Sequence, residues 1–204
     1  MAGMDGAKET LQPLKPVAVV TGATRGIGRA LAEEFAKNGH AVLLVGRNEA
    51  GLGDLAKHIA DAYNVEAYSI ACDLATPEGC DKVEEALRAN GLYCESLINN
   101  AAMMTAGHFQ DQDRDTLLKT IDLNLRSVMD LTRRFLPDMV ARKAGGVLNV
   151  ASVEGFMPVP YQATYAATKA AMISWSRALA YEVMETGVRV CMVAPGAVSY
   201  THLR

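Results

Sequence analysis

Pro16-Val-Ala-Val-Val-Thr21-Gly22-Ala-Thr24-Arg25-Gly26-Ile27-Gly28 is the stretch on which the reading of this chain turns. A short apolar, β-branched run meets a glycine-rich turn. The turn opens at once into a helical pattern, with Ile27, Leu31 and Phe35 on one side and Gly39 as the C-cap. This is a strand–turn–helix unit, and the rest of the chain repeats its logic. His40–Val45 reads as a strand, Asn48–Tyr63 as a helix and Val65–Ala71 as an extended run. Thr76 caps a helix that has Pro77 at its first position and runs to Asn90 before Gly91. Ser96–Asn99 is a short strand, 113–142 the longest helical stretch, Val147–Ala151 a strand, Ala163–Glu185 a helix and Val188–Ala194 a last apolar strand. Strands that are apolar throughout, each followed by a helix, imply a parallel sheet covered on both faces. The expectation is a doubly wound α/β fold with about six strands. Residues 1–15 are expected to be a flexible N-terminal segment, and 16–204 one domain.

The two longest helices carry more apolar surface than a sheet alone requires. In 113–142, Leu117, Ile121, Leu125, Val128, Phe135 and Met139 form one stripe, and Leu118, Met129, Leu136 and Val140 a second. In 163–185, Met172, Trp175, Leu179 and Val183 share a face. A helix apolar on two sides wants two partners, so a second subunit is expected beside the sheet.

Composition excludes several classes. The chain has 204 residues, 50% hydrophobic and 21% charged, with a formal net charge of -3. That weak acidity argues against nucleic acid or an anionic membrane as the main partner. No apolar run reaches the length of a membrane span, and no signal peptide is visible. Cys72, Cys80, Cys94 and Cys191 show no CxxC pair and no metal spacing with the histidines, so no metal site is expected. Read as buried or half-buried free thiols, they fit a reducing, cytoplasmic setting.

The turn Gly22-x-x-x-Gly26-x-Gly28 lies where a pyrophosphate would be held, at the junction of the first strand and first helix. Taken alone, it could be a tight connection and nothing more. At the end of the second strand an acid would bind a ribose 2′-hydroxyl, but this strand ends Val45-Gly46-Arg47. Arg47, with Arg25 in the turn, suits a 2′-phosphate, because the guanidinium fork donates two hydrogen bonds. The expected cofactor is therefore NADP(H), the alternative being that both arginines are solvated surface charges. Asp73 could accept from an adenine amine, or equally could cap the helix that starts near Thr76.

A second signal lies at Tyr165-Ala-Ala-Thr-Lys169. The two side chains fall one helical turn apart on one face, and an ammonium there lowers the phenol pKa. Such a pair can move a proton at neutral pH, though a tyrosine and lysine at this spacing also occur on many solvated helices.

With Thr21-Gly22-x-x-x-Gly26-x-Gly28, Asp73, Asn99-Asn100-Ala101, Asn124, Ser152, Tyr165-x-x-x-Lys169 and Pro195-Gly196 in this order, the chain resembles the short-chain dehydrogenase/reductase family. Gly155-Phe156-x-Pro158 and the residues around Lys169 resemble its NADP-preferring carbonyl-reductase group. The resemblance implies a Rossmann-type domain and a catalytic quartet of Asn124, Ser152, Tyr165 and Lys169. Tyr165 would be the acid or base, and Ser152 would bind the substrate oxygen. Lys169 would hold the ribose hydroxyls and tune the tyrosine, and Asn124 would position a water leading to solvent. Asn124 is also a poor helix former inside an apolar helix, which can equally mark a buried polar group satisfying a kinked backbone. Cofactor contacts are implied for Thr21, Gly22, Thr24, Arg25, Gly26, Ile27, Gly28, Arg47, Asp73, Leu74, Asn100, Ala101, Tyr165, Lys169, Pro195, Gly196 and Val198.

Two departures from the family pattern stand out. Position 102 is Ala where the family usually has Gly, which costs about 1 kcal/mol if that backbone needs a positive φ. Family chains also continue past Pro-Gly through a substrate-covering segment, a helix and a last strand. Here the chain reads Ser199-Tyr-Thr-His-Leu-Arg204 and stops. The expectation is a C-terminally truncated chain with the usual seventh strand missing and the sixth left as an apolar edge.

The expected activity is NADP(H)-dependent interconversion of a carbonyl and an alcohol. The alternative is a nucleotide-binding chain without useful catalysis, and an epimerase or dehydratase of nucleotide sugars is disfavoured by the glycine spacing. Segments 103–112 and 153–161 are expected to line the substrate pocket. Met103, Met104, Phe156, Met157 and Val159 suggest an apolar substrate body, or simply loop packing, and Glu154 has no assigned role. A homodimer or homotetramer is the expected assembly of a complete chain.

Overall fold

The computed structural model describes residues 13–196. The expected flexible segment up to residue 12 and the C-terminal residues 197–204, Val198 among them, lie outside the described residues. Six strands, β1 (Lys15–Thr21), β2 (Val42–Gly46), β3 (Ala67–Ala71), β4 (Leu92–Asn99), β5 (Gly146–Val150) and β6 (Arg189–Val193), form one sheet in the order β3-β2-β1-β4-β5-β6. Every pairing is parallel. The helices are α1 (Gly26–Lys37), α2 (Glu49–Tyr63), α3 (Pro77–Ala89), α4 (Arg114–Ile121), α5 (Ser127–Arg142) and α6 (Ala163–Glu182).

The period of two along each strand divides the core. Ala18, Val20, Val42, Leu44 and Ile98 turn to one face, where Ala32 and Ala36 of α1 and Leu52, Leu55 and Ile59 of α2 cover them. Val17, Val19, Leu43 and Leu97 turn to the other, against Val83 and Leu87 of α3, Leu131, Phe135 and Met139 of α5, and Leu179 of α6. Both faces of the sheet's centre are therefore dry, while Cys191 and Val193 of β6 are exposed. The chain reverses direction across the sheet between β1 and β4, and the crevice at their carboxyl ends is where such sheets bind ligands.

Three local expectations change. β4 begins at Leu92, not Ser96, because Leu92 and Cys94 alternate into the core and pair with β1 across a register shift at Val17/Ala18. β1 takes in Lys15, whose amide donates to the Gly91 carbonyl at 3.0 Å. The long helix 113–142 is interrupted by a π-turn at Asp122–Arg126. Ile121, placed on the buried stripe, is instead 41% exposed, while Thr120 and Asn124 are fully buried. Hydrogen bonding drives the exchange. Thr120 donates to the Thr116 carbonyl, and Asn124 bonds to a neighbouring loop and to α6. Ile121 and Leu125 then join Phe109, Ala163 and Ala167 along a shallow apolar groove at the surface. Of the four cysteines, Cys72, Cys80 and Cys94 are buried, whereas Cys191 is exposed, contrary to expectation, because it lies on the outer strand.

Candidate active site

The turn after β1 is braced against the turn after β4. The Thr21 hydroxyl donates to the Ile98 carbonyl at 3.1 Å and accepts the amides of Asn100 and Ala101 at 2.9 and 3.0 Å. Asn100 Nδ2 returns bonds to the carbonyls of Thr21 and Gly22 at 2.9 and 3.2 Å. Thr21 is thus a buried strut and not an open contact. Gly22 has φ +66°, and a Cβ there would lie 2.9 Å from the Ala101 Cα. A Cβ on Gly28 would run into the Gly22 carbonyl and the Asn100 amide. These glycines answer to backbone packing as well as to any anion. Gly28→Ala is expected to lower stability by about 1–3 kcal/mol, the cost of overpacking a close backbone contact. A thermal melt superimposable on that of the unaltered chain would contradict this.

The braced turns leave a groove that gathers Gly22, Thr24, Arg25, Ile27, Arg47, Asp73, Leu74, Asn100 and Ala101. Gly46, Cys72, Ala102 and Leu123 complete the lining. Gly26 and Gly28 lie buried beneath the groove in the first turn of α1. Ala102 is absent from the positive-φ residues, which among described non-glycines are Asn64, Lys143 and Tyr161. The strain tied to a glycine position therefore does not arise, and the Ala102 methyl lines the groove.

Asp73 is not the cap of α3, and it makes contacts of its own. The cap of α3 is Thr76, whose hydroxyl accepts the Gly79 amide at 3.2 Å. Asp73 Oδ1 accepts the Ala75 amide at 3.1 Å, and Oδ2 pairs with Lys119 Nζ of α4 at 2.7 Å. Burial pushes the carboxyl up, but the bonds from Lys119 and Ala75 and the charges of Lys119 and Arg47 outweigh it and hold the pKa below the usual value. Arg126 of the π-turn donates to the Leu74 carbonyl at 3.0 Å. Lys119 and Arg126 cannot be picked out by local pattern, since their partners Asp73 and Leu74 lie far off in the chain.

At the ends of β5 and α6 the expected quartet is distributed as follows. Ser152, 8% exposed, follows β5, and its Oγ accepts the Glu154 amide at 3.2 Å. An accepting hydroxyl still has its one hydrogen to donate. Tyr165 is half-buried in the first turn of α6. One turn on, Lys169 is buried, with Nζ donating to the Val150 carbonyl at 2.7 Å and lying 5.7 Å from the centre of the Tyr165 ring. Burial lowers its pKa to about 8. A Cβ on Gly155 would lie 2.8 Å from the Lys169 carbonyl carbon, so the turn after Ser152 rests directly on the helix that carries Tyr165 and Lys169. Asn124 is fully buried in the π-turn. Its Oδ1 accepts the Met103 amide and its Nδ2 donates to the Met103 carbonyl, both at 2.9 Å, with Thr168 Oγ1 at 3.2 Å. The satisfied-polar reading of Asn124 is therefore realised in the structure. Single π-turns recur at functional sites. Pro195 is joined to this region through its carbonyl, which accepts the Val153 amide at 3.1 Å.

The five apolar loop residues do not converge. Phe156, Met157 and Val159 line an apolar groove with Ala163, Ala166 and Ala170, and Met103 and Met104 lie apart from it. The two loops touch elsewhere. Gly107 donates its amide to the Tyr161 carbonyl at 2.8 Å, and the His108 and Tyr161 rings meet edge to face at 5.0 Å. Among the described residues no group of three or more metal-ligating side chains occurs, and no helix is long and apolar enough to cross a membrane.

The family description "short chain dehydrogenase" matches residues 16–204. Very-long-chain 3-oxoacyl-CoA reductase of Mus musculus is 38% identical over 182 residues, covering 87% of this chain. The chain spans 58% of that relative's own length. Among solved structures, a short-chain dehydrogenase from Sphingobium yanoikuyae in complex with NADPH superposes with a TM-score of 0.84 at 34% identity, covering 91% of this chain and 72% of its own. L-Sorbose reductase from Gluconobacter frateurii, complexed with NADPH and L-sorbose, gives 0.86 at 32% identity, covering 94% and 73%. The braced glycine turn, the six parallel strands and the matched length of sequence lead to one assignment: the chain belongs to the short-chain dehydrogenase family.

Proposed function

We propose that the chain is an NADP(H)-dependent oxidoreductase that interconverts a carbonyl and an alcohol. The observation that carries this reading is the buried Lys169, one turn from Tyr165 and packed under the turn that follows Ser152. Burying an ammonium is costly, and such groups cluster at functional sites. The groove fits the cofactor by the chemistry of its donors. Helix α1 starts at the glycine turn with no acidic side chain in its first turn, and Arg25 and Arg47 line the same groove. These groups would hold the pyrophosphate and the 2′-phosphate, and NADPH would supply the hydride.

The chain's own residues would handle the oxygen and the proton. Ser152 donates its free hydrogen to the substrate oxygen, stabilising the charge that develops there. Tyr165 delivers the proton in reduction and removes it in oxidation. Lys169 holds the ribose hydroxyls and favours the phenolate. Asn124 fixes the Met103 backbone and positions a water on the path to solvent. An apolar substrate body is supported by the groove at Phe156, Met157 and Val159. Homo-oligomerisation is supported by the exposed Phe109 and Ile121, which line one apolar groove with the half-buried Leu125. The free thiols support a cytoplasmic setting.

The test is NADPH oxidation against a panel of ketones, aldehydes and 3-oxoacyl thioesters. Turnover of at least one is the expected result. Tight NADPH binding without turnover of any would favour the nucleotide-binding alternative. Arg47→Gln is expected to raise the NADPH Kd about tenfold, the loss of one charge-assisted contact, and to leave the NADH Kd unchanged. Fluorescence titration reads both constants, and an equal rise in the two would remove Arg47 from the 2′-phosphate site.

A further inference from the structure

We propose that Lys119 sets the preference for NADPH over NADH by neutralising Asp73 at the 2′-phosphate end of the groove. The inference deepens the reading above and rests on its 2′-phosphate site. The groove poses an electrostatic problem there. It is lined by Arg25 and Arg47, which favour a phosphate, and also by the carboxylate of Asp73, which does not. Asp73 is about a third exposed and feels the charge of Arg47. Left alone, it would repel the extra phosphate and compete with it for Arg47.

Lys119 removes that conflict from outside the groove. It reaches over from α4 and places Nζ 2.7 Å from Asp73 Oδ2. Among the described residues, Lys119 and Arg47 are the cations whose charge acts on Asp73. Arg126, which reaches the neighbouring Leu74, is committed to the Leu74 carbonyl and to Asp122 and Asp130. Arg47 is the group whose freedom is at stake. Asp73 has a second anchor, because its Oδ1 accepts the Ala75 amide at 3.1 Å whether or not Lys119 is present. Removing the Lys119 charge therefore alters the potential in the groove without releasing the loop that carries Asp73. NADH has no 2′-phosphate, so its affinity is largely indifferent to the change.

The experiment compares NADPH and NADH dissociation constants by fluorescence titration, with no turnover needed, for the unaltered chain, Lys119→Met, Lys119→Arg and Lys119→Met/Asp73→Asn. At low ionic strength Lys119→Met is expected to weaken NADPH binding roughly five- to tenfold and to move NADH less than about twofold. The difference narrows as salt is raised, since the pair is partly exposed. Lys119→Arg keeps the preference, and the double variant restores it. If Lys119→Met weakens both cofactors equally, or weakens neither, or if Asp73→Asn fails to restore the preference, the proposal is overturned. Equal affinities in the unaltered chain would instead overturn the 2′-phosphate reading itself, and this proposal with it. A preference in the unaltered chain that Lys119→Met leaves intact defeats this proposal alone.

Discussion

Tyr165→Phe is expected to lower kcat/KM for carbonyl reduction by about 10²- to 10⁴-fold, the range for removal of a positioned acid, and to change NADPH affinity by less than about tenfold, the loss of at most one hydrogen bond. The substitution deletes one oxygen and keeps the ring. Packing at the start of α6 is retained, and so is the face toward which Lys169 Nζ lies, 5.7 Å from the ring centre. Neither neighbour can take over. Ser152 has an ordinary hydroxyl whose proton is far less available at neutral pH. Lys169 is directed at the Val150 carbonyl, within the helix–strand interface. Residual turnover would come from cofactor binding and from the Ser152 hydrogen bond, both of which survive. Steady-state NADPH oxidation with a substrate found in the panel, paired with a titration of NADPH, separates the two effects. Activity within twofold of the unaltered chain would show that the proton comes from elsewhere.

Much of the site is legible in the sequence because its parts are local. A glycine turn between a strand and a helix, an arginine at the end of the second strand, and a tyrosine and lysine one turn apart each declare themselves within a few residues. The structure then gathers the turn, both arginines, Leu74 and Asn100 into one groove. What stayed hidden depends on partners distant in the chain. Thr21 reads as a cofactor contact in the motif, yet its hydroxyl is consumed by Ile98, Asn100 and Ala101. Asp73 reads as an adenine acceptor or a cap, yet Thr76 is the cap and Asp73 pairs with Lys119, distant in the chain. Ile121 and Leu125 read as core by apolarity, and Thr120 and Asn124 displace them because a buried polar group with its hydrogen bonds made costs little. Periodicity ranks residues by hydrophobicity and is blind to this compensation. The length of β4 escaped for a related reason: the register shift at Val17/Ala18 breaks the Leu92/Cys94 alternation before Leu97, and only pairing with β1 reveals it.

Lys169→Met is the second substitution of large expected effect, and it separates the cost of the buried ammonium from its use. Burial lowers the Lys169 pKa from 10.5 to about 8. A lysine with a depressed pKa in the folded state opposes folding while it is charged. Below about pH 8 both states carry the proton and the penalty is constant. Between that pH and the unfolded pKa of 10.5 the unfolded chain binds more protons, so stability rises with pH. The full excursion corresponds to about 3 kcal/mol. The unaltered chain should therefore gain stability relative to Lys169→Met across that window, while the difference stays flat below it. Denaturant unfolding of both proteins at a series of pH values gives the difference directly, with the other titrating groups cancelling. Activity should move the opposite way. Methionine fills the volume but supplies neither the charge beside Tyr165 nor a donor to Val150, and kcat/KM is expected to fall by about 10²-fold or more. Difference curves that run parallel at every pH would mean that the ammonium is not buried in the folded chain. A variant that kept full activity would mean that the charge is not what tunes the tyrosine. On the proposed reading, a destabilising lysine in α6, one turn on from Tyr165, is held for chemistry and not for folding.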